Sequence, residues 1–201
     1  KGEEPKAKGP GLMGAYFGFL MRLKHKPTRM LMASGSVNVD PTQITEIPKL
    51  TEENVDEVEI LPVKKNYAYV RIKYDNKANE YLYEVIEPKL SDDEKDVLAL
   101  LKETLIARVE HMTEEKTSEK EKYLRRIIEQ LMSELAITLN PVSKEKVMYF
   151  LLRDFVGYSY IDVMMTDPNV EDCSCDGVDV PLYIYHRKYG SIRSNLRFTT
   201  E

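Results

Sequence analysis

Thiols, imidazoles and phosphate-binding loops are the groups through which this sequence could do chemistry, and each sets a narrow bound. Cys173 and Cys175 stand in a Cys-Ser-Cys run. In a strand the two side chains share one face, a spacing that makes a poor disulfide and at most half of a zinc site. His25, His111 and His186 are scattered along the chain. No metal site is assigned, and the run is expected to be two small buried thiols in a reducing compartment. No Gly-x-x-x-x-Gly-Lys-Ser/Thr run occurs. Without that loop no backbone cradle for phosphates forms, so the chain alone is expected not to hydrolyse ATP and to hold no cofactor of its own.

Charge is distributed unevenly. Residues 1–30 carry seven basic side chains against two acidic ones, a local +5, so the remainder carries −10 of the net −5. Within that front, Leu12, Tyr16, Phe19, Leu20 and Leu23 fit one helical face, and Arg22, Lys24, Lys26 and Arg29 follow or flank it. This combination suits docking on an anionic membrane surface or on a partner protein. An acidic body without a basic, aromatic-laced stripe argues against nucleic acid as a partner. No apolar run is long enough to span a bilayer and no signal peptide is evident, so the expected location is cytoplasmic, peripheral to the membrane. The chain begins at Lys1 and stops at Glu201 after an extended segment, which suggests a piece of a longer protein.

The elements that must position these groups follow from periodicity. Residues 1–40 form a flexible basic tail with the amphipathic segment. Alternation over Val58–Val63, Tyr67–Tyr74 and Tyr81–Ile86 predicts an antiparallel meander, with Asp75-Asn76 opening a turn and Tyr67, Tyr69, Val70, Ile72 and Tyr74 facing Tyr81, Tyr83 and Val85. The run Ser91-Asp-Asp-Glu94 is a capping box and starts a helix reaching about His111. A second amphipathic helix covers about 118–135. Asn140-Pro141 starts a third, which Gly157 ends. A helical turn near Ile161–Met165, a strand from Val170 to Cys175 and a hairpin over Leu182–Phe198 complete the chain.

Three segments carry a resemblance: Phe150-Leu-Leu-Arg-Asp-Phe-Val-Gly-Tyr158 with Ile161-Asp162, Asp167-Pro-Asn-Val-Glu-Asp-Cys-Ser-Cys-Asp-Gly177, and Tyr183-Ile-Tyr-His-Arg-Lys-Tyr-Gly190. They resemble the region before the motor core of archaeal ATPases of the type II/type IV secretion, pilus and archaellum superfamily. Tyr83-Glu-Val-Ile-Glu-Pro-Lys-Leu90 is similar to the exit from the first small domain of that family. The likeness runs from about Val58 to Phe198 and is most specific over Phe150–Gly190.

The resemblance implies a hexameric ring whose C-terminal RecA-like core, absent from this sequence, binds ATP and magnesium while the N-terminal domains rock against it. The implied partners are that core, neighbouring subunits and an inner-membrane platform protein. The second small domain of such enzymes packs over nucleotide and can lend it basic side chains. Arg187 lies in the matching Tyr183–Gly190 segment, and Arg193 and Arg197 are candidates by neighbourhood. The expected architecture is α+β: a first domain of sheet plus helices over 41–139, then a small α/β sandwich-like domain over 140–201. The function that follows is assembly and regulation in a secretion-type ATPase. The alternative is a standalone membrane-surface or protein-docking adaptor.

Overall fold

Alternating Ala68, Val70 and Ile72 place one face of a strand in the interior, and this pattern builds the front of the molecule. The computed structural model describes residues 44–109 and 117–199. Strands β1 (Val55–Lys64), β2 (Ala68–Asp75) and β3 (Glu80–Ile86) form the meander. The antiparallel meander is as expected, with a register that pairs Tyr74 with Tyr81, Ile72 with Tyr83 and Val70 with Val85, whereas Tyr69 pairs with Ile86 and Tyr67 precedes β2. Asp75 Oδ1 accepts the backbone N–H groups of Lys77 and Ala78 at 2.8 and 3.1 Å, so the turn is closed by its own first side chain.

Helix α1 (Asp92–Val109) begins at the predicted box. Ser91 donates its backbone N–H to Glu94 Oε2 at 2.8 Å, and Glu94 N–H returns a 3.2 Å bond to Ser91 Oγ. The second Glu94 oxygen accepts from Ser143 Oγ at 2.6 Å, which ties this helix start to that of α3 (Pro141–Phe155). Asn140 caps α3 by accepting from Ser143 N–H at 2.8 Å, with proline in the first turn. Between them lies α2 (Thr117–Glu134). Leu98, Leu101 and Leu105 of α1, Leu124, Ile128 and Leu131 of α2, and Val147 and Leu151 of α3 are buried at helical spacing where the three helices pack together.

A 3-10 turn (Ser159–Ile161) and the short α4 (Asp162–Thr166) lead into β4 (Val170–Ser174), β5 (Pro181–His186) and β6 (Gly190–Arg197). The α+β class expected from sequence is observed, as one open six-stranded sheet ordered β1-β2-β3-β6-β5-β4. The strands expected in two separate units are joined where β3 runs parallel to β6, pairing Leu82 with Arg193 and Tyr83 with Ser194; the other neighbours are antiparallel. This short junction is lengthened by a side chain. Asn195 Oδ1 accepts from Val85 N–H at 2.8 Å and Asn195 Nδ2 donates to Val85 O at 3.0 Å, which satisfies a strand backbone that would otherwise lack a partner. Residues 139 and 140 fall in the connection between α2 and α3.

The outward face of β2 is covered as well. Arg71 and Lys73 are buried, and charges there require partners. Glu57 lies 3.0 Å from Arg71 Nε, Glu84 lies 3.3 Å from its Nη1, Pro48 O accepts from Nη2, and Glu52 is 2.7 Å from Lys73 Nζ. Glu52, ahead of β1, and Glu57, within it, thus help to neutralise these buried cations.

Candidate functional site

The β5–β6 hairpin tip is built to hold Arg187 out from the sheet. Gly190 adopts φ +70, a left-handed value that a side chain disfavours. The Arg187 backbone N–H donates to Asn169 O at 2.9 Å, and Lys188 N–H donates to His186 Nδ1 at 3.1 Å. Tyr189 Oη donates to Glu59 Oε1 at 2.6 Å, pinning the tip to β1. This hydrogen bond from Tyr189 leads the effects that hold the Glu59 carboxyl below its ordinary value. On this anchored turn the Arg187 side chain is 63% exposed, with Glu171 Oε1 3.2 Å from its Nε. A weakly paired surface cation on a fixed backbone can be delivered to an anionic group of another molecule.

The other two arginines are not gathered beside it. Arg193 Nη2 donates to Glu80 Oε1 at 2.7 Å, and Arg197 is exposed at the opposite end of β6. At about 3.3 Å per residue, Arg193 and Arg197 are separated by about 13 Å along one strand face, with Arg187 farther back beyond Gly190. One phosphate group cannot engage all three. The front cluster of Arg22, Lys24, Lys26 and Arg29 lies outside the described residues.

A cleft of about 470 Å³ opens elsewhere, where the β1–β2 connection meets α2, α3 and α4. Its cations already have partners. Lys64 pairs with buried Asp162, and Arg153 Nη1 donates to both oxygens of Glu87 at 3.0 and 2.8 Å. Tyr67 stacks on Tyr149 with ring centroids 5.3 Å apart, and burial, reinforced by a hydrogen bond to Glu145, pushes the Tyr67 hydroxyl up to about 12. Burial and Glu87 also push the Tyr149 hydroxyl upward. Neutral phenols and compensated charges make this a structural clamp without an available base or nucleophile. Gly157 belongs to the clamp, because a Cβ there would collide with Asp162 Oδ1 and would meet Arg153 O at 2.8 Å.

Two polar keystones escaped the sequence reading. Asp162 accepts from Tyr158 N–H at 2.9 Å as well as pairing with Lys64, and Asp167 accepts from buried Tyr83 Oη at 2.8 Å and from Asn169 N–H at 2.8 Å. The Asp167-Pro168-Asn169 run carried the one available signal, an aspartate able to bond the backbone two residues on. The thiols correct an expectation: Cys173 is half-buried and Cys175 is exposed, since β4 is an edge strand that ends at Ser174.

Comparison with known proteins bears on the front of the sheet. Residues 32–89 match the family described as PilB3-like, N-terminal. The match supports a likeness of this stretch to the N-terminal region of the pilus and secretion ATPase family. The PilB3-like span takes in the whole β1–β3 meander and ends at Lys89, inside the Tyr83–Leu90 segment, so the match lies ahead of the Phe150–Gly190 stretch where the sequence resemblance is most specific. The chain is also 38% identical over 135 residues to Uncharacterized protein MJ1288 of Methanocaldococcus jannaschii, an alignment covering 67% of this chain. It spans about half of that relative, 54% of its length. The PilB3-like meander does not stand alone in the fold, since Tyr83 and Val85 bond to Asp167 and Asn195 from the later part of the chain. Among the described residues no helix is long and apolar enough to cross a membrane.

Proposed function

We propose that this chain is the N-terminal assembly and regulatory region of a hexameric ATPase that powers protein export or the assembly of a pilus or archaellum. The observation that carries the reading is the PilB3-like match over residues 32–89, on a meander fused by β3–β6 pairing to the hairpin that bears Arg187. A movement imposed on one part of such a sheet is transmitted to the other, which is what a regulatory region requires. The region works in the cytoplasm against the membrane, contacting its own ATPase core, neighbouring subunits and a membrane platform protein.

ATP and magnesium belong to the core in this reading. The residues present do not fit them, because the sequence has no phosphate-cradling loop and the cleft cations Lys64 and Arg153 are neutralised by Asp162 and Glu87. What this chain supplies is Arg187 on an anchored turn, directed across a subunit boundary.

Cross-linking in cells that express the tagged chain tests the proposal. Lys188 is exposed beside Arg187 and reacts with amine-directed reagents. Links from Lys188 to peptides of a protein with a P-loop support the ATPase reading. Links confined to membrane or other proteins without a P-loop refute it in favour of the adaptor.

A further inference from the structure

Sulfur collects at the free edge of the sheet beside β4. Met164 of α4 is buried, and its Sδ lies 3.9 Å from Cys173 Sγ. Cys175 follows two residues later, with its Sγ 3.6 Å from Gly177 O in the exposed loop beyond the strand. A cavity of about 330 Å³ lined by Met164, Met165 and Cys173, with Glu171 and Asp172, opens at the same place.

The spacing has a chemical meaning. Two sulfur ligands bonded at about 2.3 Å to one metal ion sit about 3.8 Å apart at a tetrahedral angle and about 4.0 Å apart at a trigonal one. The observed separation falls between these values. Cys175, two residues on in the exposed loop past the end of β4, has its Cα at most about 6.6 Å from that of Cys173, a span that its side chain and loop can close to add the second thiolate. Two thiols and a thioether form a soft donor set that prefers Cu(I) to hard or borderline cations.

We propose that Cys173, Cys175 and Met164 form a binding site for a soft metal ion of the Cu(I) class. On binding, each thiol forms an S–Cu bond and releases its proton to solvent. The copper stays Cu(I), two protons leave per ion, and the thioether adds as a neutral third ligand. Because each thiol must lose its proton to bind, affinity falls as pH is lowered, while the Asp172 and Glu171 carboxylates attract the incoming cation. The site is independent of the ATPase reading.

The test is anaerobic titration of the reduced chain with Cu(I) against a chromophoric Cu(I) chelator. The expected result is one ion per chain with two protons released. Cys175→Ser at an exposed position and volume-conserving Met164→Leu should each weaken binding by at least about tenfold. Cu(I) should raise the melting temperature of the parent but not that of Cys175→Ser, whose metal-free melting should match the parent. Two ions per chain, one on each thiol, would overturn the site. So would parental affinity in Cys175→Ser, which decides the matter even if Met164→Leu misfolds.

Discussion

Tyr83 on β3 donates a 2.8 Å hydrogen bond to Asp167, just before β4, with both residues buried. The bond joins the PilB3-like meander to the later part of the chain. Removing one partner leaves the other with an unmet polar atom in the core. Tyr83→Phe should cost about 1–3 kcal/mol of unfolding free energy. Asp167→Ala should cost a similar amount, and the double variant less than the sum of the two. Urea denaturation of the four proteins measures the coupling. Strict additivity would show that the contact contributes nothing.

Local chemistry was legible in the sequence and distant pairing was not. The Asp75-Asn76 turn, the Ser91–Glu94 box and the Asn140-Pro141 start depend on neighbours within a few residues, so spacing alone reveals them. The parallel seam between β3 and β6 joins Tyr83 to Ser194, and nothing in either strand's pattern marks the other as its partner. Asp162 and Asp167 looked like ordinary turn residues because burial is set by tertiary packing. Arg187 was nominated by family resemblance, whereas the Tyr189–Glu59 bond that fixes its turn spans residues 130 positions apart.

His186 gives a pH dependence with a definite sign. It is 2% exposed, its Nε2 has no hydrogen-bond partner, and burial holds its pKa below the ordinary 6.5. Asp167 and Glu59 partly oppose that effect, and Lys188 adds to it. Below about pH 6.5 the unfolded chain binds a proton that the folded chain refuses, so stability falls as pH drops from there toward the folded value and is flat above. His186→Phe should abolish the decline in that window. Urea midpoints at about pH 7.5 and 5.5 compare the two proteins. An identical decline in His186→Phe would assign it to other groups.

Gly157→Ala should destabilise the fold. An unstrained glycine-to-alanine change usually stabilises by about 0.4–1 kcal/mol. Here the added carbon meets both the Asp162 carboxylate and the Arg153 carbonyl, so a cost of about 1–3 kcal/mol is expected. Thermal unfolding decides the sign, and a raised melting temperature would mean that the Lys64–Asp162 clamp yields without cost.

Arg187→Ala separates a surface arginine from a trans-acting one. Its weak pairing with Glu171 predicts unchanged melting of this chain. In an ATPase particle containing the chain, kcat should fall about tenfold or more while ATP affinity changes little, since charge supplied across a boundary acts on the transition state. Unchanged turnover would transfer the test to Arg193 and Arg197.

The central claim is membership of a ring-forming secretion-type ATPase, and the most direct measurement is isolation of the native particle recognised by an antibody to residues 44–199. Native mass spectrometry and an ATPase assay are then applied to the same preparation. Six copies of this sequence, in a particle that carries a P-loop and hydrolyses ATP, is the predicted result, with the 201-residue chain alone giving no turnover. Recovery of only a 23.3 kDa protein, without an associated P-loop protein or ATP hydrolysis, would contradict the account.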